Sequence, residues 1–384
     1  MANRIYFANQ QVAFKRDAGT KWWPAHGVQS VAVTTTFNLE QAFELGQLAI
    51  YENIEGVPDI EVTCSKVLDG YALLYCLATN EAAGHAHGPT LAGRSNAKTV
   101  VGIGIWPDTQ DSASGTPSQS MEASGMFCSS VSYNFPLEDN FSEDITVVGN
   151  NKGWRAGTAA LDCDSPGWIF QNNTGVFQGN NDAPIGTGGV NRRENMAFAP
   201  SSGVLAGAGG HDWTRLPNEI PGVDTHGWMS PTANGNNTVH LQSITVSTDL
   251  GREELFELGT RQPYARVVTF PVEVTCDIEV LSLSGDMINA FADGCSADTD
   301  PCTGIVDNLS NQTIRLATCE GTRVYLGTKN KLASVNYGGG DAGGGNVTVT
   351  YSYTTFNDFT VIHPDDPNAS GTLWWNNRGN YLGS

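Results

Sequence analysis

Polar and apolar residues alternate from Val28 to Thr36, a stretch rich in Val and Thr, and that period predicts a half-buried strand. The period then changes. Asn38 and Gln41 make a capping-box pattern, and Leu39, Ala42 and Phe43 fall on one face of two turns closed by Gly46, so a short helix is predicted. Gln47 to Asn53 reads as a strand, Glu55-Gly56-Val57-Pro58 as a turn, and Asp59 to Leu68 as a second strand. Asp69 is placed to cap a helix burying Tyr71, Leu74, Tyr75 and Ala78, and further strands are predicted over Thr99 to Ile105, Met126 to Phe135 and Asp144 to Val148.

The same pattern is written again about 213 residues later. Val28-Gln-Ser-Val-Ala-Val-Thr-Thr-Thr-Phe37 returns as Leu241-Gln-Ser-Ile-Thr-Val-Ser-Thr-Asp-Leu250, and Phe43-Glu-Leu-Gly46 as Phe256-Glu-Leu-Gly259. Tyr51 falls on Tyr264, and Glu61-Val-Thr-Cys64 returns one residue out of step as Glu273-Val-Thr-Cys276, which would put Cys64 and Cys276 at equivalent strand positions. Beyond the cysteines Val131 to Phe135 resembles Val349 to Tyr353, and Asn140-Phe141 resembles Asp358-Phe359. An internal duplication is the reading these ordered matches favour. The second copy's first helix is expected to be poorer, because Gly251 stands where Asn38 was.

The division expected is an arm over residues 1–27, a first repeat over 28–150, a Gly/Asn/Pro-rich linker over 151–238 and a second repeat over 239–384. The arm holds Trp22 and Trp23 without a helical period, and either covers its own domain or packs on a neighbouring subunit. In the linker, Trp168 to Phe170 and Gly175 to Phe177 read as a hairpin. At nearly ninety residues the linker is too long to be idle. The fold class is mainly β with some helix (α+β): two tandem sandwiches or barrels, each with a flanking short helix.

Composition narrows the function. At 384 residues there is enough chain for two to three domains with cores, and a net charge of −20, from 20 basic against 40 acidic residues, opposes gripping a phosphate backbone. No run approaches the length of a membrane span, and the N-terminus lacks an apolar signal core, so synthesis and assembly in a cytoplasm are expected. The eight cysteines show no CxxC pair and no zinc-site spacing, and read as buried thiols.

Catalytic patterns were sought among the histidines and glycines. His85 and His87 are spaced to chelate a metal but have no identifiable third ligand. His211-Asp212 and Asp224-Thr-His226 are not accompanied by a nucleophile turn. Gly102-Ile-Gly104 meets Pro107 instead of a third glycine and a helix, and Gly338 to Gly345 reads as a hairpin tip. No catalytic residue, cofactor or metal is therefore expected.

Ser30 to Leu48, Glu61-Val-Thr63 with Val67 to Tyr71, Ser132 to Glu143 and Val147-Val-Gly-Asn150 resemble the strand and helix segments of tail tube proteins of long-tailed bacteriophages, as do Arg192-Arg193-Glu-Asn and Leu216-Pro-Asn-Glu-Ile of the linker. The resemblance implies a structural virion protein of the tail, polymerised as stacked rings around a channel for genome delivery. It also implies contact with other phage tail proteins, no membrane, and DNA passing without specific binding. Six such domains surround the channel in that family, so two per chain predict homotrimeric, pseudo-hexameric rings. Assembly contacts are expected at Glu55, Gly56, Val57 and Pro58, at Pro263, Tyr264 and Arg266, and at Trp22 and Trp23. A virion decoration protein or carbohydrate-binding adhesin, and a hydrolase with a dispersed site, are the alternatives.

Overall fold

The computed structural model describes residues 5, 7–17, 22–46, 48–79, 90–107, 117–156, 189–198, 213–223, 240–282, 285–288, 310–338, 340, 345–364 and 366. The expected hairpin at 168–177, His85, His87, His211 and His226 lie outside the described residues.

Strands β1 (Gln10–Arg16), β2 (Trp22–Pro24), β3 (Val28–Thr36), β4 (Leu39–Phe43), β5 (Ile50–Glu55) and β6 (Asp59–Val67) precede two short helices, α1 (Leu74–Ala78) and α2 (Leu91–Arg94). Strands β7 (Thr99–Ile105), β8 (Gln119–Pro136), β9 (Ser142–Gly149) and β10 (Asn151–Ala156) complete the first half. The second half holds β11 (His240–Asp249), β12 (Arg252–Leu255), β13 (Ala265–Val268), β14 (Glu273–Leu281), β15 (Arg315–Ala317), β16 (Arg323–Tyr325), β17 (Lys331–Gly338), β18 (Thr348–Phe356) and β19 (Thr360–Ile362). The fold is mainly β, with antiparallel pairing throughout these strands.

A long sheet runs in the order β3-β6-β9-β8-β11-β14-β18-β17. Its inward positions are apolar on alternate residues: Ile60, Val62 and Cys64, then Ile145 and Val147, then Val131, Tyr133 and Phe135, then Ile244 and Val246, then Val274, Cys276 and Ile278. Each such side chain gains about 1.5–3 kcal/mol from leaving water. Strand β8 belongs to two sheets. Its second half pairs β9 and β11, while its first half pairs β7 and β10, and β7 continues through β1 to β2. The change falls at Gly125, whose φ of 64° is open to glycine and strained for other residues. This second sheet, α1 and the small β15-β16-β19 sheet contribute to the same core as the long sheet's inner face.

Three expectations are corrected. Leu39 to Phe43 is strand β4 in a hairpin with β5, and not a helix. Asn38 caps nothing; its amide donates to Val57 O at 2.8 Å and Asp59 Oδ2 at 2.9 Å, closing the base of that hairpin. The helix after Asp69 is shorter than its sequence period and has no side-chain cap of its own. Residues 10–16 and 22–24, placed in an arm, are strands of the second sheet, because β1 finds a full-length partner in β7.

The long sheet repeats itself. The order β3-β6-β9-β8 returns as β11-β14-β18-β17, the β3–β6 bulge at Val28/Ser30 returns at Leu241/Ser243, and the β8–β9 bulge at Cys128/Ser130 returns at Leu332/Ser334. Gly46 and Gly259, at φ 93° and 95°, turn the two hairpins β4–β5 and β12–β13 alike. Register revises the cysteine match: Val31 faces Cys64 whereas Ile244 faces Ile278, so Cys276, opposite Val246, stands where Val62 stands. Likewise Val131–Phe135 lies in β8 and Val349–Tyr353 in β18, whose counterpart in strand order is β9; that sequence likeness reflects a shared strand pattern and not a shared place.

Candidate assembly surface

The two repeats meet along β8 and β11, from Ser243 opposite Pro136 to Asp249 opposite Ser130. Tyr133, Phe135, Ile244 and Val246 are buried at this seam. At the far ends of the long sheet the counterparts of these strands, β17 and β3, each carry a ladder on one side only among the described residues. Tyr337, which by register matches Tyr133, is 48% exposed. Neither edge is blunted by proline, and β3 has no charged residue, so two long backbone ladders are left ready to pair.

Above the seam the β12–β13 hairpin of the second repeat rests on the β5–β6 turn of the first. Arg261 donates to the carbonyls of Glu55 at 2.5 Å and Gly56 at 3.3 Å. Gln262 donates to Asn151 Oδ1 at 3.3 Å, and Arg266 to Asn150 Oδ1 at 3.3 Å and Asp59 Oδ1 at 2.9 Å while pairing with Glu254. The turn 55–58 and the hairpin that carries 263–266 are thus brought together by the chain itself through Arg261, and Arg266 is buried beside Asp59 and Asn150. Tyr264 stays exposed. Trp22 is buried with Ala13, Val100 and Trp106, and Lys15 lies 5.1 Å from its ring centre, whereas Trp23 packs on the main core. Sequence reasoning missed Arg261, although its place two residues after the repeated Phe-Glu-Leu-Gly marks it.

The hairpins differ in chemistry. On the first, Phe43, Leu45, Leu48, Tyr51 and Ile54 are all exposed, and on the second Phe256, Leu258 and Tyr264 are. Such a concentration of uncovered apolar side chains marks an interaction site.

The outward face of the long sheet is small and polar, with Thr63, Ser65, Thr146, Ser132, Thr245, Ser247, Thr275, Thr350 and Ser352 on it. Among the described strand residues this face carries the carboxylates Asp59, Glu61, Asp144, Asp249, Glu273, Asp277 and Glu279 against the single cation Lys331.

The buried titratable groups are engaged in packing. Glu143 accepts from Leu74 N at 2.6 Å, Tyr75 N at 2.9 Å and Tyr133 Oη at 2.8 Å, so it caps α1 from β9. Burial raises its pKa, and those donors together with Lys66 work against the rise. Lys66 donates to His26 O and Asp69 Oδ1, both at 2.7 Å. Burial pushes the thiols of Cys64 and Cys128 up to about 12, which leaves them protonated. Among the described residues no group of His, Cys, Asp and Glu could hold a metal, and no helix is long and apolar enough to cross a membrane.

No protein-family model and no curated protein matches the sequence. Solved structures with similarity include a chain of the anti-feeding prophage baseplate, at 10% identity and a TM-score of 0.31, covering 41% of this chain and 98% of that one. A chain of the sheath-tube complex of an extracellular contractile injection system is 14% identical at a TM-score of 0.29, covering 40% of this chain and 93% of that one. A chain of the anti-feeding prophage tube-terminating cap is 12% identical at 0.29, covering 41% and 94%.

Proposed function

We propose that this chain is a structural tail tube protein whose copies join edge to edge, three to a ring, and whose rings stack around a channel that passes DNA. The observation that carries the reading is the β8–β11 seam. It joins the end strand of one repeat to the first strand of the next, and among the described residues leaves the same two kinds of strand, β17 and β3, open at the two ends of the long sheet. Repeating that seam between copies places Tyr337 opposite Val33 and Val335 opposite Thr35, as Tyr133 stands opposite Val246 and Val131 opposite Thr248 within the chain. A head-to-tail contact of this kind closes into a ring when its rotation divides the circle.

The acidic, Ser/Thr-lined outward face suits the lumen. Carboxylates repel the duplex and there are few cations to release its counterions, so DNA slides without being held. With two repeats per chain, three chains supply six. Native mass spectrometry of the purified protein is expected to give three chain masses and multiples of three, and negative-stain images tubes. A chain that stays single at micromolar concentration, or rings of six chains, defeats the reading.

A further inference from the structure

The polar contact between hairpin and turn inside the chain has a counterpart at each open end, and there its chemistry is reversed. Two residues past the repeated Phe-Glu-Leu-Gly stand Arg261 in the second repeat and Leu48 in the first. Arg261 lands on the turn at Glu55 and Gly56, while on the same hairpin Gln262 reaches Asn151 and Arg266 reaches Asn150. The matching turn in the second repeat, between β13 and β14, presents Phe270. Since Ile145 faces Cys64 and Tyr351 faces Ile278, Phe356 holds the place of Asn150. Leu48 is fully exposed, Phe270 is 46% exposed and Phe356 55%.

Resting on the ring reading above, we propose that the β4–β5 hairpin of each copy packs Leu48 against Phe270 and Phe356 of the adjacent copy in the same ring. Both partners change together: guanidinium on carbonyls inside the chain becomes leucine on phenylalanines between chains. The two junctions are therefore not interchangeable. Arg261 set on Phe270 and Phe356 would lose its acceptors, and Leu48 set on Glu55, Gly56 and Asn150 would strip water from carbonyls without replacing it. First and second repeats must alternate around the ring, and a copy joined the wrong way round is rejected.

The test places the photoreactive residue p-benzoylphenylalanine at position 48 of the full chain, irradiates assembled rings and maps adducts by mass spectrometry. Adducts linking position 48 to a peptide of another chain that holds Phe270 or Phe356 are expected. Adducts only elsewhere, in rings that form normally, overturn the clasp and leave the ring reading standing; a chain that never assembles removes both. Leu48→Asp, on a fully exposed position that leaves the fold intact, should raise the concentration for half-assembly by about tenfold or more, and Phe270→Asp similarly. The double variant should be little worse than either single one, because they remove one shared contact. Unchanged half-assembly for Leu48→Asp overturns the proposal.

Discussion

The two repeats agree in strand order and bulge position and differ at the cross-strand pair nearest α1. In the first repeat Lys66 faces Glu143; at the same register in the second, Val280 faces Val349, and all four are buried. The ladder itself therefore asks only for inward side chains that are covered. The charged pair exists for what lies above it: Glu143 holds the first turn of α1, and Lys66 holds His26 and Asp69. In the second repeat the neighbouring inward positions are Tyr351 and Tyr353, where the first has Ile145 and Val147. Those larger rings fill room on the sheet, and their hydroxyls donate to Asp286 O at 2.9 Å and Glu219 Oε2 at 3.4 Å.

The largest expected contrast is between the closed seam and the open edges. Tyr133→Ala removes a fully buried ring and a hydrogen bond to Glu143, and should cost about 3–5 kcal/mol in chemical denaturation. Tyr337→Ala, at the matching place on the open edge, should cost the single chain about 0.5 kcal/mol or less while weakening assembly. Equal losses in the single chain would show that β17 is covered by its own chain.

The charged pair gives the next contrast. Glu143→Val makes the first repeat resemble the second, yet leaves two α1 amides and the Tyr133 hydroxyl without an acceptor, at about 2–4 kcal/mol. Hydrogen exchange should then quicken at Leu74 and Tyr75. If stability is unchanged, the helix does not depend on the carboxylate.

Much of this was legible in the residues. Strict alternation located β3, β6 and β9 almost to the residue, because one buried face admits only one register. The inward Glu143 and Lys66 were not singled out, although each falls in step with its apolar neighbours, Glu143 with Ile145 and Val147, and Lys66 with Val62 and Cys64. The β4–β5 hairpin was not. Leu39, Ala42 and Phe43 satisfy a helical stripe, but the pairing with β5 and the Asn38 clamp are decided by residues 7 to 21 positions away. The open edges and the Leu48, Phe270 and Phe356 surface depend on which strands neighbour which, and local periodicity carries no such information.

His363 links the repeats through its titration. It follows β19, is buried, and has its pKa lowered to about 3, first by burial and then by the Lys66 charge. The folded value lies below the ordinary 6.5, so its contribution is present above that pH and is lost as pH falls toward about 3. Between pH 6.5 and 5 the loss should reach about 2 kcal/mol, at about 1.4 kcal/mol per pH unit. Comparing the chain with His363→Gln across that window isolates it: parallel stability curves for the two would remove His363 from the account.

The smallest effect belongs to the polar contact between the repeats. Arg261 is exposed and its acceptors are backbone carbonyls, so water replaces much of what is lost when the side chain is cut. Arg261→Ala should therefore cost about 1 kcal/mol or less in global denaturation. Arg266, which is buried with Asp59, Asn150 and Glu254 around it, still holds the base of the hairpin. The change should appear locally, as faster hydrogen exchange in the β12–β13 hairpin with the β8–β11 seam unaffected. Arg261→Leu sharpens the comparison further, since it gives the second hairpin the residue of the first. If matched chemistry keeps the repeats in order, Arg261→Leu should also let the second hairpin settle on Phe270 and Phe356 of other copies, and broaden the ring masses beyond multiples of three. Rings of unchanged mass would mean that the β-edge ladders alone set the order.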